Sequence, residues 1–178
     1  MRSRLREFRP RHRLAHTSTN LERQNAFVTR VAELGMRLVH CIAGGEYSYD
    51  AGYRAGLDIA RGKDTDAVFF ANDILAAGGF DALTEIAKLR VPEDIAIAGF
   101  DDVALTRWPH YSLTTFRQPV DAIVDKTVSL IMQQLSDATF PPSYNALSGE
   151  LIIRHSTMGG QAMETIGEPE PSPLTSHR

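Results

Sequence analysis

Three short, nearly continuous apolar runs, RLVHCIA (37–43), AVFFA (67–71) and IAIAGF (95–100), alternate with stretches whose apolar residues recur at helical spacing. Runs of this length with no polar alternation suit strands buried on both faces of a parallel sheet. Strands separated by helices of ten to sixteen residues form right-handed βαβ units, with helices on both sides of the sheet. The fold class is therefore α/β.

The punctuation supports this reading. Phe27, Val28, Val31 and Leu34 make a helical stripe over 21–34, and Gly35 stands where a C-terminal cap belongs. Ser48 is a candidate N-cap for a helix over 49–61, whose Gly52 and Gly56 allow close packing, with Gly62 ending it. Asn72 and Asp73 lead into a helix over 74–89 that stops at Val91 and Pro92. LTTF (113–116) is a fourth strand. Residues 119–136 carry a further stripe (Val120, Ile123, Val124, Val128, Ile131, Leu135), and ELIIRHST (150–157) is a final strand. From 159 to 178 the chain is rich in Gly, Pro, Ser and Glu, a composition that predicts disorder.

Charge narrows the function. Of 19 basic and 22 acidic residues, six arginines and a single acid, Glu7, fall within 1–13, leaving the remainder at a net −8. Such a body repels a phosphate backbone, and the basic head reads as a short solvated charge run. One cysteine, Cys41, fits a reducing compartment, and no apolar stretch suits a membrane span or a secretory signal, so a cytoplasmic location is expected. No glycine-rich phosphate loop follows a strand, since AGG (43–45) and AAGG (76–79) lack the spacing and the lysine. The six histidines are scattered with no pair at metal spacing, and no nucleophile sits in a recognisable elbow. No cofactor, metal or catalytic constellation is expected.

In parallel sheets ligands gather at the carboxyl ends of the strands. Those ends carry Gly44 to Tyr47, Asn72 with Asp73, Asp101 with Asp102, and Arg117 with Gln118. Planar acids, amides and guanidinium groups bind the neighbouring hydroxyls of sugars, and an aromatic ring covers the sugar's apolar face. Arg23, Tyr47, Asn72, Asp101 and Gln118 supply that set. Each also has a structural reading: Asn72 or Asp73 as a helix cap, Asp101 or Asp102 as an Asx turn, Arg23 on an exposed helix face. Their convergence on one edge of the sheet favours the ligand.

DAVFFANDILAAGGFDALTEIAKLRVPEDIAIAGFDD, followed by LTTFRQP and later ELIIRHST, closely resembles the effector-binding domain of the lactose/galactose repressor (LacI/GalR) family of bacterial transcription regulators. Six spaced elements agree in order across residues 66–157, and ERQNAF and GGEYSYDAGYRAG extend the similarity upstream, with Ala26 where the family has glycine. The resemblance implies a periplasmic-binding-protein-like clamp of two α/β lobes around a sugar-like effector. It also implies a homodimer that reads operator DNA through a helix-turn-helix. By position it places effector contacts on Arg23, Tyr47 as the stacking aromatic, Asn72, Asp101 and Gln118, and it makes Asp102 the residue that fixes the turn.

The family also begins with a DNA-binding headpiece, a hinge and a first lobe, which this sequence does not show. RHRLAH (11–16) resembles the entry into the second lobe. The division that follows is 1–20, a basic segment with the remnant of a first strand; 21–117, the C-terminal lobe; 118–142, a crossover helix belonging to the other lobe; 143–158, a strand returning to the lobe; and 159–178, a disordered tail. Alternatives are a transport-type sugar-binding protein of the same fold, which needs a secretory signal, a small hydrolase or transferase with Asp101 or Asp102 as base, and a non-functional truncated remnant.

Overall fold

The computed structural model describes residues 18–42, 46–62, 64–137, 139–141 and 143–158. Its helices are α1 (Ser18–Glu33), α2 (Tyr49–Gly62), α3 (Asp73–Asp81) and α4 (Val120–Ser136), and its strands are β1 (Ala67–Phe69), β2 (Ala96–Phe100), β3 (Thr114–Arg117) and β4 (Glu150–Ile152). The strands form one sheet in the order β1-β2-β3-β4. The first three run parallel, and β4 returns antiparallel to β3, with Arg117 opposite Glu150.

Register decides which residues face which layer. Val68, Ile97 and Thr115 share one face, and Phe69, Ala98 and Phe116 share the other. The first face is the interior: Ile97 and Leu113 are fully buried against Ala76, Phe80 and Leu83 of α3 and its continuation, with Ile59 of α2 and Phe70 completing the cluster. On the opposite face α1 contributes Phe27, stacked on Phe69 at 4.9 Å. Helices thus lie on both faces.

Local chemistry accounts for the element ends. After α1, Gly35 takes φ +67°, and the N–H groups of Gly35 and Met36 donate to the carbonyls of Ala32 and Val31, which is the Schellman closure expected of a C-terminal glycine. The Ser48 hydroxyl accepts from the Ala51 N–H at 3.2 Å, so the predicted N-cap of α2 is present. Gly52 of α2 and Gly78 of α3 meet at the helix crossing, where an added Cβ would overlap the carbonyl oxygens of Leu75 and Tyr49 respectively.

Several expectations need correction. The strand expected at RLVHCIA is not formed over its described part: residues 37–42 pair with no strand, and Leu38 and Ile42 are 42% and 45% exposed. Strand β1, at the end of the sheet, offers only three residues, so a further strand added there would satisfy few backbone groups. Helix α1 begins at Ser18, inside the segment expected to hold a strand remnant. The helix expected to reach 89 ends as a π-helical turn, Ala82–Ile86, before Lys88 at φ +59°. The final strand stops at Ile152, and His155–Thr157 is a 3-10 turn. The basic head at 1–17 and the tail at 159–178 lie outside the described residues.

Helix α4 buries no residue. Its stripe of Val120, Val124, Val128, Ile131 and Leu135 is 51–78% exposed, and Leu151 of β4 and Ile153 just after it are also more than half exposed. Among the described residues nothing covers this face.

Candidate functional site

Parallel pairing brings the carboxyl ends of β1, β2 and β3 to one edge. After β1, Asn72 adopts extended backbone (φ −153°) and its Oδ1 accepts the Leu75 N–H at 2.8 Å, so it caps α3. This is the structural reading of Asn72 realised. An Asn72→Ala variant is expected to lose about 1 kcal/mol in chemical denaturation, while Asn72→Asp, which keeps the accepting oxygen, stays within a few tenths. Equal losses for the two variants would show that the cap is not the reason for the residue.

After β2 the backbone turns sharply. Asp101 and Asp102 have φ of +116° and +54°, two consecutive non-glycine residues outside the ordinary regions. The Asp101 N–H donates to the Phe116 carbonyl at 2.9 Å, which ties the turn to β3. Such strain persists only where surrounding bonds hold it, and it clusters at sites that must aim a side chain. Here it aims the two carboxylates in different directions.

Asp101 turns to the rim, where its Oδ1 accepts from Gln118 Nε2 at 2.6 Å. Asp102 turns inward, its side chain 1% exposed, and accepts from Arg117 Nε at 2.7 Å, Arg154 at 2.6 Å, Arg107 at 3.2 Å and the Thr106 hydroxyl at 3.0 Å. Burial alone would raise its pKa. The guanidinium groups of Arg154 and Arg117, the Thr106 hydroxyl and Arg107 outweigh that, holding the carboxyl well below the ordinary carboxylate range. Asp102 thus fixes the turn, and does so by joining the β2 end to β3 and to the segment after β4.

A third carboxylate lies beneath. Asp73, fully buried at the start of α3, accepts from the Thr115 hydroxyl at 2.6 Å and the Val103 N–H at 3.0 Å. Burial raises its pKa, partly offset by those two bonds, and the charges of Asp101 and Asp102 add to the rise. Asp73 is therefore a positioning group for the β2–β3 turn.

Arg23 reaches this edge from α1. Its guanidinium carbon stands 3.7 Å from the centre of the Phe100 ring, and Nη1 donates to the Ala71 carbonyl, next to Asn72. Asp101 and Gln118 line a cleft of about 490 Å³, walled by Arg107, Arg117 and the first turn of α4. Of the five residues read from the sequence, Asp101 and Gln118 are in direct contact, and Arg23 and Asn72 flank Ala71 at the neighbouring strand end. Tyr47 precedes α2, 47% exposed, with no hydrogen bond or ring contact among the described residues.

The Asp102 hub was only half visible beforehand. Its arginines come from three places in sequence, 107, 117 and 154, so no local spacing announces them. The signal that existed was the arginine of ELIIRHST, a charged residue at the end of an apolar strand.

These features define a periplasmic-binding-protein-like lobe with polar groups at its strand ends, and comparison with known proteins agrees. Residues 8–157 match the periplasmic binding protein-like domain family, and the chain belongs to that family, in the form found in LacI-type transcription regulators. The HTH-type transcriptional regulator CelR of Thermobifida fusca is 29% identical over 113 residues, 63% of this chain and 33% of CelR. Among solved structures, a LacI-family transcriptional regulator from Sanguibacter keddieii superposes with a TM-score of 0.70 at 29% identity, over 77% of this chain and 53% of that one. A LacI-family regulator from Arthrobacter in complex with lactose gives 0.67 at 31%, over 76% and 51%. The chain thus spans about a third of the curated relatives' length and about half of the solved chains. No helix among the described residues is long and apolar enough to cross a membrane.

Proposed function

We propose that this chain is the effector-sensing part of a LacI-type transcription regulator, that it binds a sugar or sugar derivative, and that it performs no chemistry. The observation that carries this reading is the Asp101–Gln118 pair at the mouth of a cleft where β2 and β3 end, with the guanidinium of Arg23 over the ring of Phe100, the residue before Asp101. Acid, amide and guanidinium together offer the bidentate acceptors and donors that vicinal hydroxyls take. Asn72 and Tyr47 belong to the same set, Asn72 through the amide nitrogen its cap leaves free.

Helix α4 is the crossover into a second lobe, which would cover its exposed apolar stripe and close the cleft from above. An effector bridging two lobes favours one closure angle, and in a homodimer that angle sets the spacing of DNA-reading heads in the cytoplasm. The described lobe by itself offers only one wall, so affinity is expected to be weak.

Titrating mono- and disaccharides into the isotopically labelled chain should move the backbone amide signals of Asp101 and Gln118 with millimolar affinity. Asp101→Ala should abolish the shifts, because two charge-assisted bonds contribute about 2–4 kcal/mol, roughly 30- to 1,000-fold. Shifts that survive Asp101→Ala would assign Asp101 to the turn alone. A panel that moves neither residue would sink the sugar reading, and micromolar binding would overturn the single-wall argument.

A further inference from the structure

Away from the strand ends, a second group of polar side chains converges where the end of α3 and its continuation meet the loop before β3. Asp81 closes α3, Glu85 lies four residues on in the π-helical turn, and His110 follows the 3-10 turn Ala104–Arg107. Asp81 Oδ1 stands 2.8 Å from His110 Nε2, and one donor atom from each of Asp81, Glu85 and His110 lies within 4.8 Å of the other two.

The group is held in place from outside. Asp81 Oδ2 accepts from the phenols of Tyr49 at 2.7 Å and Tyr111 at 3.0 Å, which sets the carboxylate plane and turns Oδ1 toward the histidine. Burial and the Asp81 charge push the Tyr111 phenol up to about 12, and the hydrogen bond to Asp81 pushes Tyr49 higher still, so both stay donors. The imidazole meets Phe80 and Tyr111 edge-on, with centroids at 5.4 and 4.8 Å. Glu85 does not fit a simple hydrogen-bond cluster. It has no hydrogen-bond partner among the described residues, and its charge faces a second carboxylate and two phenols whose protons are already donated to Asp81.

We propose that Asp81, Glu85 and His110 form a binding site for a divalent first-row transition ion of the zinc, cobalt or nickel type. One imidazole nitrogen with two carboxylate oxygens matches those ions, whereas calcium and magnesium take oxygen alone. Ligand atoms about 2.1 Å from an ion lie no more than roughly 4.2 Å apart. The observed spread needs to tighten by less than an ångström, which exposed Glu85 supplies by a side-chain rotation. The ion takes the place of the proton between Asp81 and His110, and the tyrosines become the outer donors that orient a ligating carboxylate. Asp81 and Glu85 stand one turn apart on the chain, but His110 comes from a separate segment, so no spacing in the sequence marks the complete set.

The test is calorimetry of the full chain with zinc chloride, together with the visible absorption of bound Co²⁺. One ion per chain is expected. His110→Gln and Glu85→Gln should each weaken it at least about tenfold and remove or shift the cobalt band, while His40→Gln, remote from the cluster, leaves both unchanged. Glu85 is exposed, so its variant remains folded even if the histidine variant does not. Absence of stoichiometric binding, or binding that Glu85→Gln leaves intact, overturns the proposal.

Discussion

Replacing Asp102 by asparagine is expected to cost about 3–5 kcal/mol in urea denaturation at neutral pH, the usual penalty for removing one partner of a buried ion pair. The reasoning is local. Three guanidinium groups converge on one carboxylate whose side chain is 1% exposed, and Arg154 is itself 14% exposed. Asparagine keeps the volume and the Thr106 contact, but it removes the charge and leaves Arg154 buried without a counterion. Arg107→Gln should by contrast stay within about 1 kcal/mol, because that side chain is 62% exposed and solvent replaces its contact.

The pH dependence gives a second check. The Asp102 pKa is lowered on folding, so its stabilising contribution is present above the ordinary value of 3.8 and is lost as pH falls through the folded value below it. The gap between wild type and Asp102→Asn should therefore be widest near neutrality and narrow below about pH 4. Asp73 runs the other way, since its raised pKa means that protonation favours the folded form. Burial, the largest cause of that rise, is common to both proteins and cancels in the difference, while the smaller part due to the Asp102 charge is lost in Asp102→Asn. A loss under 1 kcal/mol that is flat with pH would mean that water, rather than Asp102, satisfies the arginines.

What could be read from the sequence follows the range over which each signal acts. Gly35, Ser48 and Asn72 are local devices, a left-handed cap and two N-caps, and each occurs where spacing placed it. The runs at Ala96–Phe100 and Thr114–Arg117 are central enough that their apolar character and their pairing coincide. RLVHCIA has the same character, but its described residues find no strand partner, and apolar character without pairing leaves Leu38 and Ile42 nearly half exposed. Asp101 was legible because a strand end is a sequence position, and its contact with Gln118 joins two such ends. The Asp102 hub and the Asp81 cluster were not, since each assembles charges whose closeness only the tertiary fold creates.

Gly52→Ala is expected to lower stability by about 3 kcal/mol and the melting temperature by roughly 6–12 °C. Two effects compete at this position. Alanine is a better helix former than glycine by about 1 kcal/mol, which alone would make the variant more stable. Against this, the new Cβ would overlap the Leu75 carbonyl oxygen and stand 2.7 Å from that residue's carbonyl carbon and Cα. These are backbone atoms of α3, so no side-chain rotation relieves the clash and the two helices must part. The crossing is tight from both sides, because Gly78 of α3 approaches the Tyr49 carbonyl in the same way. Separation would draw Ile59 of α2 away from the Ala76, Phe80 and Leu83 cluster and would stretch the Tyr49–Asp81 hydrogen bond. Gly35→Ala is the control: it has φ +67° but nothing within 4 Å, so it bears only the left-handed backbone penalty of about 1 kcal/mol. Equal losses at the two glycines would show that backbone conformation, not the helix crossing, is what Gly52 provides.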